Sequence, residues 1–233
     1  MKAVILAGGK GTRLKPYTTV IPKPLVPVGE KAILEILIAR LKQQGVDEVY
    51  ICLNHFAEII MAFFGDGRRF GLKINYSLED EPLGTVGPIR LIMGLPEHFL
   101  VMNGDLLTDL PFHELYDYHL KGNSLLTVST FTRKTKIDFG VIEVDPLTHL
   151  ATGFREKPEY TFEVSMGVYV MNRAGLEYVP PGTHFGFDNL MLTLLAQKQP
   201  ARTFPYHGYW LDIGRPDDYE KANDDIEMLG KLL

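Results

Sequence analysis

The sequence predicts an α/β fold: a mostly parallel mixed sheet flanked by helices. Three observations carry the prediction. A short apolar run, residues 3–7, reads as a buried central strand. Through the first half of the chain, apolar runs alternate with stretches whose apolar residues recur at helical spacing, the pattern of right-handed βαβ units. The strand-like runs break into glycine-rich and acidic loops, and ligands of such sheets bind beyond the carboxyl ends of the strands.

The elements follow in order. Leu34, Leu37, Ile38 and Leu41 recur at helical spacing, with Gly45 placed as the stop. Residues 47–53 read as a strand, 55–64 as a helix and 72–76 as a strand. The polar loop 79–84 leads into a short helix over 85–93, and 99–103 is an apolar strand closing on Gly104 and Asp105. The second half changes character. A helix over 112–119 is followed by strands at 125–130, 140–144, 150–155 and 164–171, a more antiparallel part. Residues 187–196 read as a helix, and 202–205 and 209–213 as strands. Pro216 opens a last helix with Asp217 and Asp218 in its first turn and a stripe of Tyr219, Ala222, Ile226 and Leu229. With no repeat, low-complexity tract or linker, residues 1–233 are expected to form a single domain.

The totals exclude several classes. A net charge of −5 argues against a nucleic-acid or anionic-membrane surface. The basic residues Lys10, Arg13, Lys15 and Lys23 gather in one loop, which suits a small anionic ligand. Cys52 is the only cysteine, so an intramolecular disulfide and a thiolate zinc cage are excluded, and its apolar setting makes it a small buried hydrophobe. The seven histidines form no metal set by spacing. The apolar run at the N-terminus is too short for a signal peptide, and no run reaches the roughly 18 residues of a membrane span. A cytoplasmic location and no membrane partner are expected.

Gly8, Gly9 and Gly11 follow the first strand directly. Glycines let successive backbone N–H groups converge into a nest that binds anions. Arg13 adds a planar fork suited to phosphate oxygens, and Lys10 and Lys23 add mobile charge. A Walker loop fails because Lys10 precedes Gly11, and a dinucleotide fingerprint fails because Leu14 stands where its third glycine belongs. Asp105, at a strand end, suits either a cap or a Mg²⁺ ion. Asp212 lies inside the apolar stretch from Trp210 to Ile213, where an unpaired carboxylate is costly and a metal supplies the missing partner. Glu156, Lys157 and Pro158 follow a strand; Pro158 is expected to hold Lys157 extended, and a surface ion pair is the plain alternative.

The string Gly8-Gly9-x-Gly11-Thr12-Arg13-Leu14-x-Pro16, with Pro22-Lys23-Pro24-Leu25-x-Pro27-Val28, resembles the signature of the sugar-1-phosphate nucleotidyltransferases. The resemblance runs from Met1 to about Tyr219 through separated motifs in the family's order. It implies a Rossmann-like fold, with a nucleotide-binding part over about 1–110 and a sugar-phosphate-binding part over about 111–233. A C-terminal β-helix extension, which some relatives carry, is not expected.

The resemblance also implies the partners and roles. An NTP and a sugar 1-phosphate give an NDP-sugar and pyrophosphate; a homo-oligomer is compatible with the sequence. Leu6, Ala7, Gly8, Gly9, Gly11 and Thr12 would hold the nucleotide together with Glu81, Gly84 and Thr85. Arg13, Lys23, Asp105 and Asp212 would carry catalysis, with Asp105 and Asp212 binding Mg²⁺. Gly140, Glu156 and Lys157 would bind the sugar phosphate; Asp188 would join them or merely start a helix.

The base is expected to be guanine. All four glutamines lie away from the 79–87 loop, whereas Glu79, Asp80 and Glu81 can accept from N1–H and N2–H₂ of guanine. The run Glu81-Pro82-Leu83-Gly84-Thr85-x-Gly87 resembles the mannose and heptose guanylyltransferase branch. Uridylyl, thymidylyl or cytidylyl transfer, and a non-catalytic nucleotide-sugar sensor, are the alternatives.

Overall fold

The computed structural model describes residues 1–226 and residue 230. The chain opens with β1 (Lys2–Leu6), and 3-10 turns at Thr12–Leu14 and Lys23–Leu25 carry the glycine and lysine segments. A small hairpin of β2 (Pro27–Val28) and β3 (Lys31–Ala32) leads into α1 (Ile33–Gln43). Next come β4 (Glu48–Leu53), α2 (Ala57–Phe64), β5 (Lys73–Leu78), β6 (His98–Asn103) and β7 (Leu106–Thr108). The second half holds α3 (Phe112–Gly122), β8 (Leu126–Lys136), β9 (Val141–Val144), β10 (Ala151–Arg155) and β11 (Glu159–Asn172). It ends with α4 (Phe187–Ala196), β12 (Ala201–Tyr206), β13 (Trp210–Asp212) and α5 (Pro216–Asp224).

Seven strands form one sheet in the order β12-β8-β11-β6-β1-β4-β5. β1 pairs in parallel with β4 and β6, and β4 in parallel with β5. β11 runs antiparallel to both β6 and β8, while β12 is parallel to β8, so the sheet is mixed. The alternating pleat sends Ala3 and Ile5 to one face, where α1 buries Leu34, Leu37, Ile38 and Leu41. Val4 faces the other side with Cys52, Phe99 and Val101, under Leu190 and Leu194 of α4. Each buried Leu or Ile contributes on the order of 1.5–3 kcal/mol. A third cluster joins Leu14, Val26, Val28 and Ile33 to Leu107, Leu211, Ile213 and Ala222. It fastens the glycine-loop segment to β13 and α5 across the length of the chain.

Three details differ from the sequence reading. The expected helix over 85–93 is a 3-10 turn, Gly87–Leu91. Pro88 lacks an N–H, and the N–H groups of Val86 and Gly87 are taken by the carbonyl of Phe185, at 3.0 and 3.1 Å. The strands expected at 125–130 and 164–171 are the buried ends of longer β8 and β11. Their outer halves pair as far as Lys136 with Glu159 and carry the β9–β10 hairpin as an arm. Lys157 is not extended but adopts φ +41°, because the chain must reverse between β10 and β11, and that turn outweighs the preference imposed by Pro158. Leu229, assigned to the last helical stripe, lies outside the described residues. Among the described residues no helix is long and apolar enough to cross a membrane.

Candidate active site

A cleft of about 440 Å³ opens beyond the carboxyl ends of β1 and β6. Leu6, Ala7, Gly8, Gly9, Gly11 and Thr12 all line it, as do Arg13 and Lys23. Glycine is required where the walls crowd. A Cβ on Gly8 would stand 3.0 Å from Glu79 Oε1 and 3.3 Å from the Asn54 amide nitrogen. Gly11 has φ +61°, and its carbonyl accepts from buried Thr18 Oγ1 at 2.7 Å, which folds the loop back on itself. Lys10 is exposed and does not reach the cleft wall.

The charged end is assembled by a strand pair. Asp105 ends the loop after β6, and β7 begins at the next residue. β7 pairs antiparallel with β13, setting Leu106 opposite Asp212, and the Ile213 N–H donates to the Asp105 carbonyl at 3.0 Å. Asp105 and Asp212 are thereby brought to one place. Burial first, and the Asp105 charge second, push the Asp212 carboxyl above its usual range, against the pull of Lys23 and Arg13. Lys23 Nζ is ion-paired to Asp105 Oδ2. The other oxygen, Oδ1, is buried without a partner. Two crowded carboxylates with an orphaned oxygen form a donor set that fits a hard divalent cation completed by phosphate oxygens. The Arg13 guanidinium lies against Gly214, with its atoms 3.6 Å from where a Cβ would stand.

The opposite end of the cleft is built around Glu79. Its Oε2 accepts from the Leu83 N–H at 2.7 Å, and its carbonyl accepts from Asn54 Nδ2 at 3.1 Å. Oε1 points across Gly8, and burial raises its carboxyl above the usual range. Gly84 and Thr85 line this end as well, together with Pro82 and His184. Glu81 does not. It faces a separate depression with Asp80, so of the acidic run only Glu79 borders the cleft.

Of the sugar-side residues, Gly140, Glu156, Lys157 and Asp188 all stand outside the cleft wall. Gly140 begins the arm, where a Cβ would meet the Phe154 ring at 2.7 Å and Glu156 Oε2 at 3.3 Å. Glu156 and Lys157 are exposed and 4.0 Å apart across their charges. Asp188 is exposed in the first turn of α4.

With this geometry in view, the comparisons are decisive for the family. A family model described as nucleotidyl transferase matches residues 2–228. The chain belongs to that family. Among curated relatives, the mannose-1-phosphate guanylyltransferase 1 of Arabidopsis thaliana is 34% identical over 94% of this chain and 63% of its own length. A UTP–glucose-1-phosphate uridylyltransferase of Synechocystis is 32% identical over 95% of this chain and 62% of its own. The chain thus spans somewhat under two thirds of these relatives. The crystal structure of HddC from Yersinia pseudotuberculosis is 30% identical with a TM-score of 0.75, covering 97% of this chain and 99% of that one. The same protein has been solved complexed with GMP-PN (29% identity, TM-score 0.73).

The sequence reading passed over Asn54, Asn103 and His184, all of which border the cleft. Asn54 and Asn103 sit at or just past the ends of β4 and β6, and the strand-end rule that selected Asp105 applies to them equally. His184 carries no such signal, since its loop reaches the cleft only through the tertiary fold.

Proposed function

We propose that the chain transfers a nucleotidyl group from an NTP, GTP by preference, to a sugar 1-phosphate, with mannose 1-phosphate the first candidate acceptor. The observation that carries this reading is the convergence of Lys23 and Asp105 beside Arg13 at one end of a glycine-walled cleft, with Asp212 behind that wall and near enough to feel all three charges. The acceptor phosphate is already an anion, so no general base is needed and catalysis reduces to positioning and charge neutralisation at the α-phosphate.

The glycine-loop amides cradle the nucleotide phosphates, and Arg13 clamps the departing pyrophosphate. Lys23 neutralises the α-phosphate region. Mg²⁺, with Asp105 and Asp212 as its protein ligands, supplies charge neutralisation on phosphate oxygens when bound. Gly140, Glu156 and Lys157 take the sugar phosphate, which requires the ligand to reach past the cleft or the arm to lean over it. The net charge of −5, with basic residues gathered in one loop, suits small anionic substrates rather than a nucleic acid.

Glu79 supports guanine. Its free Oε1 can accept from N1–H and N2–H₂, and such a pair is worth about 1–3 kcal/mol of discrimination by analogy with base-edge readout. The uridylyltransferase relative keeps UTP as the second reading. A panel of GTP, UTP, dTTP, CTP and ATP with one accepted sugar phosphate tests the choice. GTP is expected ahead by about tenfold in kcat/KM; UTP or dTTP ahead would contradict guanine.

A further inference from the structure

Glu79 favours guanine by meeting two donors, N1–H and N2–H₂, yet it does nothing to repel adenine. A carboxylate accepts from the N1–H of guanine, and it accepts also from the amino group of adenine or cytosine. Discrimination needs a donor beside it, aimed at an oxo group. The cleft holds one candidate from the other half of the chain.

His184 borders the same cleft as Glu79, Gly84 and Thr85. Its backbone is held there by the residues that follow it. The Phe185 N–H donates to the Leu83 carbonyl at 2.8 Å, and the Phe185 carbonyl accepts from Val86 and Gly87 at 3.0 and 3.1 Å. The Phe187 N–H donates to Thr85 Oγ1 at 2.8 Å. Gly84, at φ +82°, lets the two loops touch, since a Cβ there would stand 2.7 Å from the Phe185 carbonyl oxygen. Four hydrogen bonds thus lace the 183–187 segment to the Glu79 loop. Among the described residues the His184 ring takes no hydrogen-bond partner, so its ring nitrogens are open to a ligand.

We propose that His184 is a base-specificity residue that donates to the oxo group of the incoming base while Glu79 accepts from the adjacent ring N–H. The proposal rests on the reading of Glu79 as the base-facing carboxylate. A neutral imidazole carries one ring N–H, and that single N–H is the donor the pair requires. Donor beside acceptor matches O6 and N1–H of guanine, or O4 and N3–H of uracil and thymine. It opposes adenine and cytosine, whose amino group would face the His184 donor and whose bare ring nitrogen would face the carboxylate. His184 therefore reads oxo against amino bases.

The test compares GTP, ITP and ATP on the full chain, its His184→Leu variant and its His184→Gln variant, with one accepted sugar phosphate. ITP keeps O6 and N1–H but lacks the amino group. His184→Leu should lower kcat/KM for GTP and ITP alike by about tenfold and leave ATP no worse, so the GTP/ATP ratio falls about tenfold. His184→Gln, which keeps a donor, should recover most of that ratio. A GTP/ATP ratio in His184→Leu within about twofold of the unmodified chain overturns the role of His184 while leaving Glu79 intact. An unmodified chain that prefers ATP over both GTP and ITP overturns the reading of Glu79, and His184 falls with it.

Discussion

Lys23 and Asp105, 82 positions apart in the chain, meet as an ion pair that engages only one oxygen of the carboxylate. The second oxygen is buried with no partner, beside a half-buried Asp212 whose ionised form is disfavoured. Both features fit the Mg²⁺ ion proposed above, with Asp105 and Asp212 as its protein ligands. Asp105→Ala and Asp212→Ala are therefore each expected to lower kcat by about 100-fold or more, the scale of losing a preorganised electrostatic contact. Pyrophosphate release at saturating Mg²⁺ measures this, with circular dichroism to verify the fold. Full activity in either variant would remove that residue from the charged end.

Arg13 and Lys157 should separate kinetically. An Arg fork on the leaving group strengthens as charge builds there, so Arg13→Ala should lower kcat by about 100-fold. Lys157 is an exposed residue on the arm, so Lys157→Ala should leave the melting temperature unchanged and raise the apparent KM for the sugar phosphate several-fold. An unchanged KM would detach Lys157 from the acceptor.

Gly84→Ala should loosen the lacing between the two loops. Alanine at φ +82° is strained by about 1–2 kcal/mol, and its Cβ would press on the Phe185 carbonyl. Chemical denaturation should register a loss of about 2 kcal/mol, with a raised KM for the nucleotide. A variant as stable as the parent would mean that the loops part without cost.

Stability should fall in mild acid through His119. Burial first, then His98 and Arg202, hold its imidazole down at about 4, against an ordinary 6.5. Its contacts are His98 Nδ1 at 3.0 Å and Thr127 Oγ1 at 2.8 Å. Because the folded chain binds this proton less readily than the unfolded one, the contribution is complete above about pH 6.5 and is lost as pH falls towards 4. At about 1.4 kcal/mol per pH unit, that window is worth at most about 3 kcal/mol. Unfolding free energies measured from pH 7 to 4 should show this slope, and His119→Gln should flatten it. An identical slope in the variant would assign the acid loss to other groups.

Much of this was legible in the sequence because strand ends select site residues. The run 3–7, the break at Gly8 and the carboxylate after 99–103 mark one edge of a parallel sheet, and the cleft lies there. Asp212 was legible for a different reason: a carboxylate in an apolar strand demands a partner. What escaped depends on contacts between distant segments. Nothing local distinguishes Glu79 from Glu81, since both sit in one acidic turn; the Leu83 N–H and the close approach of Gly8 separate them. The outer half of β8, from Thr132 to Lys136, is polar on both faces, so periodicity could not extend that strand; Tyr160, Phe162 and Val164 do alternate along the outer half of β11 and carried a signal that went unread. Lys157 follows the turn its neighbours impose rather than the preference of its own dipeptide.

The central claim is nucleotidyl transfer to a sugar 1-phosphate, and mass spectrometry of the products tests it most directly. The full chain, Mg²⁺, GTP and mannose 1-phosphate should yield equal amounts of pyrophosphate and a GDP-sugar, with both absent when Mg²⁺ is removed by chelation. GTP consumed without a GDP-sugar, or no product from any of the five nucleotides with a range of sugar 1-phosphates, would contradict it.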